Sequence, residues 1–447
     1  MTALTFPLQV YFRSPSPALF PYAVIGIGLF VTFFGRNRTS LGAIGSHASS
    51  SIHFSVIIYA SLVLANTGWQ VGLQLISLAE GIAVLVNYLL PVIFYYYFRR
   101  FATEHEICSA IRGIALVGIV LAIYFVYDTY MKMVLGQVSI FSESAFEYSL
   151  ERANQSEDLA NTARIASGGR SLGLLESSAV SGAWTVLSAC ATLALVPLEY
   201  SRTRRLTIGF FGIVLLIALN FTAILGYYLI IVVFEAGLNH LKASRASIFF
   251  TTSILAGSMV GISALLQGGF SVDNYLFELI IDSLVAQVNI LTGTELRDNT
   301  MLSLVVIYLR EYLEVVYDSP LLALVGEGFS SYGTAKGGDV GFVETMSRFG
   351  PLFFLLFTVG LCKLLIRGLR LLARMEPERN VALFELNRRG IIQFSLSVIV
   401  LVGVSDGHYS TWTSKAVLPF LFFSLAMLDR YLLIRFPVTT SNPRLAG

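Results

Sequence analysis

Apolar segments long enough to cross a lipid bilayer recur along this 447-residue chain. A bilayer core about 30 Å thick requires roughly 20 apolar residues from a helix that crosses it. Segmentation on that rule predicts spans near residues 20–35, 52–67, 77–98, 107–127, 175–197, 207–219, 222–238, 248–266, 350–366, 391–405 and 416–429. The sequence therefore predicts an all-α polytopic membrane protein with about eleven transmembrane helices, or roughly 10–12.

The composition excludes a soluble globular domain and argues against a nucleic-acid partner. Hydrophobic residues make up 55% of the chain and charged residues 13%, whereas about a quarter of a soluble protein is charged. Mean hydropathy is +0.73. The net charge is only +2, and the basic residues form short clusters between apolar runs, which is typical of membrane topology signals. The three cysteines have neither metal-ligand spacing nor the pattern of a disulfide framework.

The basic clusters predict an orientation, because short basic loops remain on the cytoplasmic side of a membrane. Two long polar stretches then fall outside, where each forms a large external (periplasmic) loop with interfacial helices. The predicted regions are N-terminal transmembrane helices (1–127), a first large periplasmic loop (128–174), central transmembrane helices (175–266), a second large and catalytic periplasmic loop (267–349), and C-terminal transmembrane helices with a cytoplasmic tail (350–447).

The apolar run from 207 to 238 is too long for one upright span, at about 48 Å as a single straight helix. Arg204 and Arg205 precede it, and Lys242 and Arg245 follow it. A single span would leave one of these basic clusters outside. We therefore predict a short hairpin that reverses at Asn220.

The first external loop ends in the sequence ARIASGGR, which contains Arg164 and Arg170. The glycine pair between them permits close approach of the backbone, and two guanidinium groups could hold a diphosphate by charge-assisted hydrogen bonds. Arg164 and Arg170 are therefore candidate substrate-binding residues. A solvated helix exit is the alternative interpretation.

The second external loop places charged residues around amphipathic segments that carry too many charges to span. Arg297 lies just before the second such segment and Arg310 lies about three turns into it. A Gly-rich stretch follows and leads to Asp339, Glu344 and Arg348. These five residues are candidates for a site at the membrane surface, although ordinary paired loop charges and a turn-forming aspartate are the alternatives.

The last external turn, VSDGHYSTWTSKAV, supplies a histidine and two aromatic residues. Tyr409 and Trp412 could stack on sugar rings, or they could form an interfacial anchor belt. His408 could carry the proton of an acceptor hydroxyl, because histidine titrates near neutral pH. Asp406 is a further external carboxylate.

Between residues 297 and 366 the chain resembles the O-antigen polymerase and ligase family, also called Wzy-type polysaccharide polymerases. Members tend to have an arginine, an amphipathic helix, an LxGxG(F/Y) turn, a polar element with an aromatic residue, and a Gly-led transmembrane helix. The corresponding pieces here are Arg297, the segment 299–317, Leu324–Phe329, Asp339 with Phe342, and Gly350–Ile366.

Two positions depart from the family pattern. Gly338-Asp339 stands where family ligases usually have a His-Asn pair, which favours a polymerase over a ligase. Asn220-Phe221 stands where many members have Ser-Arg at the tip of the short hairpin. One phosphate-binding arginine is therefore missing there, and Arg164 or Arg170 could replace it.

The resemblance implies a metal-independent glycosyltransferase of the bacterial inner membrane, without a cofactor, whose active site faces the periplasm. Such an enzyme moves a growing glycan from undecaprenyl diphosphate to a new lipid-linked repeat unit, with inversion at the anomeric carbon. Arginines would stabilise the departing diphosphate, and Asp339, ahead of Glu344 and His408, would take the acceptor proton. A chain-length regulator and a flippase are the implied protein partners. The alternatives are an O-antigen ligase, a flippase or transporter of the same lipid-linked oligosaccharide, and a non-catalytic scaffold.

Overall fold

The structure is a computed structural model, and part of the chain is described here. The described residues are 51–133, 135, 137, 139, 178–217, 221–238, 309–310, 312–314, 317, 326–328, 340–375, 387–407 and 417–432. The predicted spans at 20–35 and 248–266, and most of both large loops, lie outside them.

All the regular secondary structure of the described residues is helical. The helices, numbered among these residues, are α1 (Ser51–Gly72), α2 (Leu78–Arg100), α3 (Glu104–Met133), α4 (Ser178–Leu195), α5 (Ser201–Ile217), α6 (Phe221–Ile230), α7 (Gly341–Phe349), α8 (Pro351–Arg374), α9 (Arg388–Ser405) and α10 (Leu418–Leu432). A π-helical segment, Ile231–Leu238, continues α6.

Within the described ranges, five helices are long and apolar enough to cross a membrane. They are Ser51–Gly72, Leu78–Arg100, Glu104–Met131, Pro351–Arg374 and Arg388–Ser405. Val180–Leu195 and Thr222–Glu235 are shorter apolar helices. The predicted class of helical membrane protein is confirmed at this level, and the number of eleven spans stays a prediction.

Side chains just before α2 and α3 fix where these helices begin. Ser77 and Glu80 form a capping box, in which the Ser77 hydroxyl accepts from the Glu80 N–H at 3.2 Å and the Glu80 carboxylate accepts from the Ser77 N–H at 2.8 Å. Thr103 and Glu106 repeat the arrangement, with the corresponding distances of 3.3 and 2.6 Å. These bonds satisfy amide groups that have no partner inside the helix.

The apolar run from 207 to 238 folds as two helices that run in opposite directions. α5 ends at Ile217 and α6 begins at Phe221. The Tyr227 hydroxyl, in α6, donates to the carbonyl of Ile208 in α5 at 2.8 Å. Asn220 itself lies outside the described residues, between the two helices.

Arginines gather at one end of the bundle, which we call the basic end. There Arg204 of α5 donates to the carbonyls of Leu193 and Val196, at the end of α4. Arg389 of α9 binds the last carbonyls of α8, and Arg430 of α10 binds those of α2. The C-terminus of a helix carries unpaired carbonyls and a partial negative charge, so each guanidinium stabilises the helix end that it contacts.

A buried ion pair ties the hairpin to the rest of the basic end. The guanidinium of Arg204 binds the carboxylate of Glu235 through two nitrogens, and the side chains are 3% and 1% exposed. The Gln393 amide of α9 donates to the same carboxylate at 2.9 Å. Glu235 lies in the π-helical segment, and π-helical turns often mark positions where a particular side chain must be aimed.

Candidate functional site

The opposite end of the bundle, where α1 ends and α8 begins, carries Glu344 and Arg348, two of the charged residues predicted for the second loop. We call it the turn end, because a short turn, Gly326–Gly328, lies against it. An aromatic cluster lies beneath it, in which the buried ring of Tyr59 packs on Phe349 and Phe422 at centroid distances of 5.5 and 4.9 Å. These ring contacts pack α1, α7 and α10 together beneath the turn end.

Two backbone hydrogen bonds fasten the turn to the last residues of α7. The N–H of Glu327 donates to the carbonyl of Ser347 at 2.7 Å, and the N–H of Gly328 donates to the carbonyl of Arg348 at 3.0 Å. Gly326 and Gly328 have φ angles of 78° and 82°, a left-handed conformation that favours glycine. The two glycines of the LxGxG pattern thus allow the turn to bring Glu327 close to the end of α7.

α1 holds the other side of the same turn. The side-chain amide of Gln70 donates to the backbone carbonyl of Glu327. A Cβ atom on Gly328 would lie 2.9 Å from Gln70 Nε2 and 3.2 Å from Asn66 Cβ. A larger residue at Gly328 would therefore require the Gln70 amide or Asn66 to shift.

α7 carries a pair of opposite charges within one helical turn. Arg348 Nε donates to a carboxylate oxygen of Glu344 at 2.9 Å, with the side chains 19% and 13% exposed. A mostly buried pair is less screened than one in water. The bond uses one of the five N–H donors of the guanidinium, so the geometry allows this arginine to bind an anion as well.

Tyr312 adds a phenol beside the turn. Its ring is buried with Val340 and Val343 in a small apolar cluster that also contacts Phe342 and Met346. Burial raises the pKa of the Tyr312 phenol above its ordinary value, and the negative charge of Glu327 raises it further. The phenol therefore remains protonated at neutral pH.

The end of α9 also reaches the turn end. The N–H of Phe342, in the first turn of α7, donates to the carbonyl of Asp406 at 2.7 Å. Asp406 follows the last residue of α9. Asp406 and Phe342 are thus adjacent in the structure, although they lie far apart in the sequence.

Three of the predicted site residues are described. Glu344 and Arg348 lie together at the turn end, as given above. Arg310 pairs with Glu314 at 3.3 Å, with both side chains largely exposed, which is the geometry of an ordinary solvated helix pair. The predicted residues outside the described part of the chain are Arg164, Arg170, Arg297, Asp339, His408, Tyr409 and Trp412.

Glu327, Tyr312 and Gln70 are not among the residues predicted from the sequence. Glu327 lies within the LxGxG turn, and no local pattern predicts that Tyr312 approaches it. A signal existed for Gln70. It lies four residues after Asn66 on one face of an apolar helix, and polar residues in a membrane span usually face a partner or a site.

The described residues contain no group of three or more His, Cys, Asp and Glu side chains arranged to hold a metal ion. The polar groups at the turn end are instead carboxylates, a guanidinium, a phenol and an amide.

Comparison of the chain with protein-family models, curated proteins and solved structures finds no match. The resemblance to the O-antigen polymerase and ligase family therefore stays a prediction from the residues between 297 and 366.

Proposed function

We propose that this protein is a polysaccharide polymerase, a metal-independent glycosyltransferase that extends a glycan carried on undecaprenyl diphosphate at the periplasmic face of the inner membrane. The observation that carries the proposal is the contact of the LxGxG turn with α7, which brings Glu327 beside the helix that carries Glu344 and Arg348. A charged, partly buried site at one end of an apolar helical bundle suits a substrate with a lipid tail and a charged head.

The reaction needs stabilisation of a leaving diphosphate and removal of one proton. The acceptor hydroxyl oxygen forms a bond to the anomeric carbon of the donor glycan, the bond from that carbon to the diphosphate oxygen breaks, and the electron pair leaves with the diphosphate. Arg348 would bind the departing oxygens, since a guanidinium matches phosphate geometry and keeps its charge. Attack from the side opposite the leaving group inverts the anomeric centre.

The separation of charge between the two ends of the bundle supports the proposed orientation. Arg204, Arg389 and Arg430 all bind helix ends at the basic end. Basic residues near span ends favour the cytoplasmic side. The turn end would then face the periplasm, where no nucleotide sugar is available and a lipid diphosphate is the activated donor.

The glycolipids of a deletion strain test this function. Loss of a polymerase leaves single repeat units on the lipid carrier, and the wild-type gene restores long chains. Accumulation of free long polymer would instead identify a ligase, and repeat units confined to the cytoplasmic leaflet would identify a flippase. Either of these outcomes would overturn the proposal.

The variant Arg348→Ala provides the residue-level test in the same strain. It should shorten or abolish the polymer, because the leaving diphosphate loses its guanidinium partner. Arg205→Ala is the matched control, since Arg205 is an exposed arginine at the basic end and should support normal chain length. Normal polymer from both variants would contradict the role given to Arg348.

A further inference from the structure

Glu327 is held more firmly than a loop carboxylate usually is. Its N–H donates to Ser347 and its carbonyl accepts from Gln70, so both of its backbone polar groups are bound to helices. Gly326 and Gly328, on either side of Glu327, have positive φ angles that set the direction of the backbone before and after this residue. The backbone of Glu327 is thus fixed on both sides, and a rigid backbone is a suitable support for a residue with a chemical role.

The environment of Glu327 suits the removal of a proton from a sugar hydroxyl. The residue is half-buried, between the core and the surface of the turn end. Tyr312 lies close enough for the charge of Glu327 to affect its phenol. A general base must lie within hydrogen-bond reach of the proton that it takes, and a half-buried carboxylate at the surface of the turn end suits that condition.

Three other described carboxylates near this end take part in an ion pair or a helix cap. Glu344 binds Arg348 by a charge-assisted hydrogen bond in a mostly buried pair. Glu80 caps the start of α2 and is exposed. Glu314 pairs with Arg310 on an exposed helix face.

We infer that Glu327 is the catalytic base of the proposed transfer and that Gln70 is the residue that positions it. This inference rests on the proposed function. The proton of the acceptor hydroxyl passes to the Glu327 carboxylate as the acceptor oxygen bonds to the anomeric carbon and the diphosphate departs. The resulting carboxylic acid returns the proton to water before the next cycle, so no other reactant is needed.

The test uses the full-length protein in proteoliposomes, with polyprenyl-diphosphate-linked oligosaccharides extracted from the deletion strain as the probe. Glu327→Gln should lower kcat by about 10²–10⁴, the usual contribution of a general base, with a smaller change in KM. Glu327→Asp should retain part of the activity. Glu80→Gln is the matched control, because it removes one exposed carboxylate at the same end of the bundle and should leave the rate unchanged.

The pH profile separates a base from a structural residue. Wild-type kcat should fall at acid pH as the base becomes protonated, and the residual activity of Glu327→Gln should lack that fall. Gln70→Leu should lower kcat but should still show the fall of kcat at acid pH, because the carboxylate is still present. The melting temperature of Glu327→Gln in detergent should match that of the wild type, since the backbone bonds of Glu327 are unchanged.

Each failure has a separate meaning. If the wild-type protein makes no polymer from the probe, the proposed function fails and this inference fails with it. If the wild-type protein is active and Glu327→Gln retains its rate and the fall of kcat at acid pH, only the inference is overturned. If Glu327→Gln and Glu327→Asp both lose the fold, Glu327 is a structural residue and the inference is likewise overturned.

Discussion

The side-chain amide of Gln70, in α1, donates a hydrogen bond to the backbone carbonyl of Glu327, 257 residues further along the chain. This bond joins the helix that ends at the turn end to the loop that carries the LxGxG pattern. It makes α1 part of the site, although α1 contributes no charged residue to it.

Replacing Gln70 with leucine should therefore loosen the turn without unfolding the bundle. A lost hydrogen bond of this kind costs about 0.5–1.5 kcal/mol net, which corresponds to a fall in polymer formation of up to about tenfold. The melting temperature should change little, and polymerisation in proteoliposomes measures the rate.

Thr67→Val is the matched control for that experiment. Thr67 is buried on α1, and its hydroxyl has no hydrogen-bond partner within the described part of the chain. Removing a buried, unpaired hydroxyl is neutral or slightly stabilising, so activity should stay at the wild-type level. Equal losses in both variants would indicate general damage to α1 and would contradict a specific role for Gln70.

The buried pair of Arg204 and Glu235 makes a stability prediction. Arg204→Met leaves the Glu235 carboxylate buried without its counterion and removes the bonds to the end of α4. It should destabilise the protein by about 3–5 kcal/mol, seen as a lower melting temperature in detergent. The double variant Arg204→Met/Glu235→Leu should recover much of that loss, because no uncompensated charge remains.

Arg205→Met provides the comparison for this pair, since Arg205 is the exposed neighbour of Arg204. Its effect should stay within about 0.5 kcal/mol. A double variant as unstable as Arg204→Met alone would show that the bonds to α4, rather than the charge pair, account for the stability.

Gly326→Ala should disrupt the turn end. The new methyl group would overlap the backbone of Arg348 and Phe349, and the φ angle of 78° is unfavourable for any residue with a side chain. We expect the turn to detach from α7 and polymer formation to be lost.

Gly360→Ala is the control at a helical glycine, because nothing lies within 4 Å of the added methyl group. It should leave activity unchanged, since alanine suits a helix better than glycine does. Normal polymer from Gly326→Ala would mean that the Gly326–Gly328 turn is not needed for function.

The orientation of the bundle can be tested with single cysteines in a variant that lacks Cys108, Cys190 and Cys362. Leu75→Cys introduces an exposed thiol at the turn end, and Glu199→Cys introduces one at the basic end, between α4 and α5. A membrane-impermeant maleimide should label Leu75→Cys on intact spheroplasts and should label Glu199→Cys only after lysis. The reverse pattern would overturn the proposed orientation.

The sequence alone determined the helical membrane class, because the length and apolarity of a segment decide whether it can cross a bilayer. α2, α8 and α9 correspond closely to the predicted spans at 77–98, 350–366 and 391–405. The sequence also named Glu344 and Arg348 as candidate site residues, and their role stays a prediction. The structure shows that the two side chains form an ion pair one turn apart on α7.

The tertiary structure decided which distant residues surround that pair. Gln70 meets Glu327 only because α1 packs on the end of α7, and the charge of Glu327 reaches Tyr312 only because the turn is bound to α7. Local patterns carry no information about contacts between segments hundreds of residues apart, because such contacts depend on how whole helices pack. The pairing of Arg204 with Glu235 could not be predicted from the sequence for the same reason. It requires the start of α5 and the π-helical segment after α6 to lie side by side at the basic end.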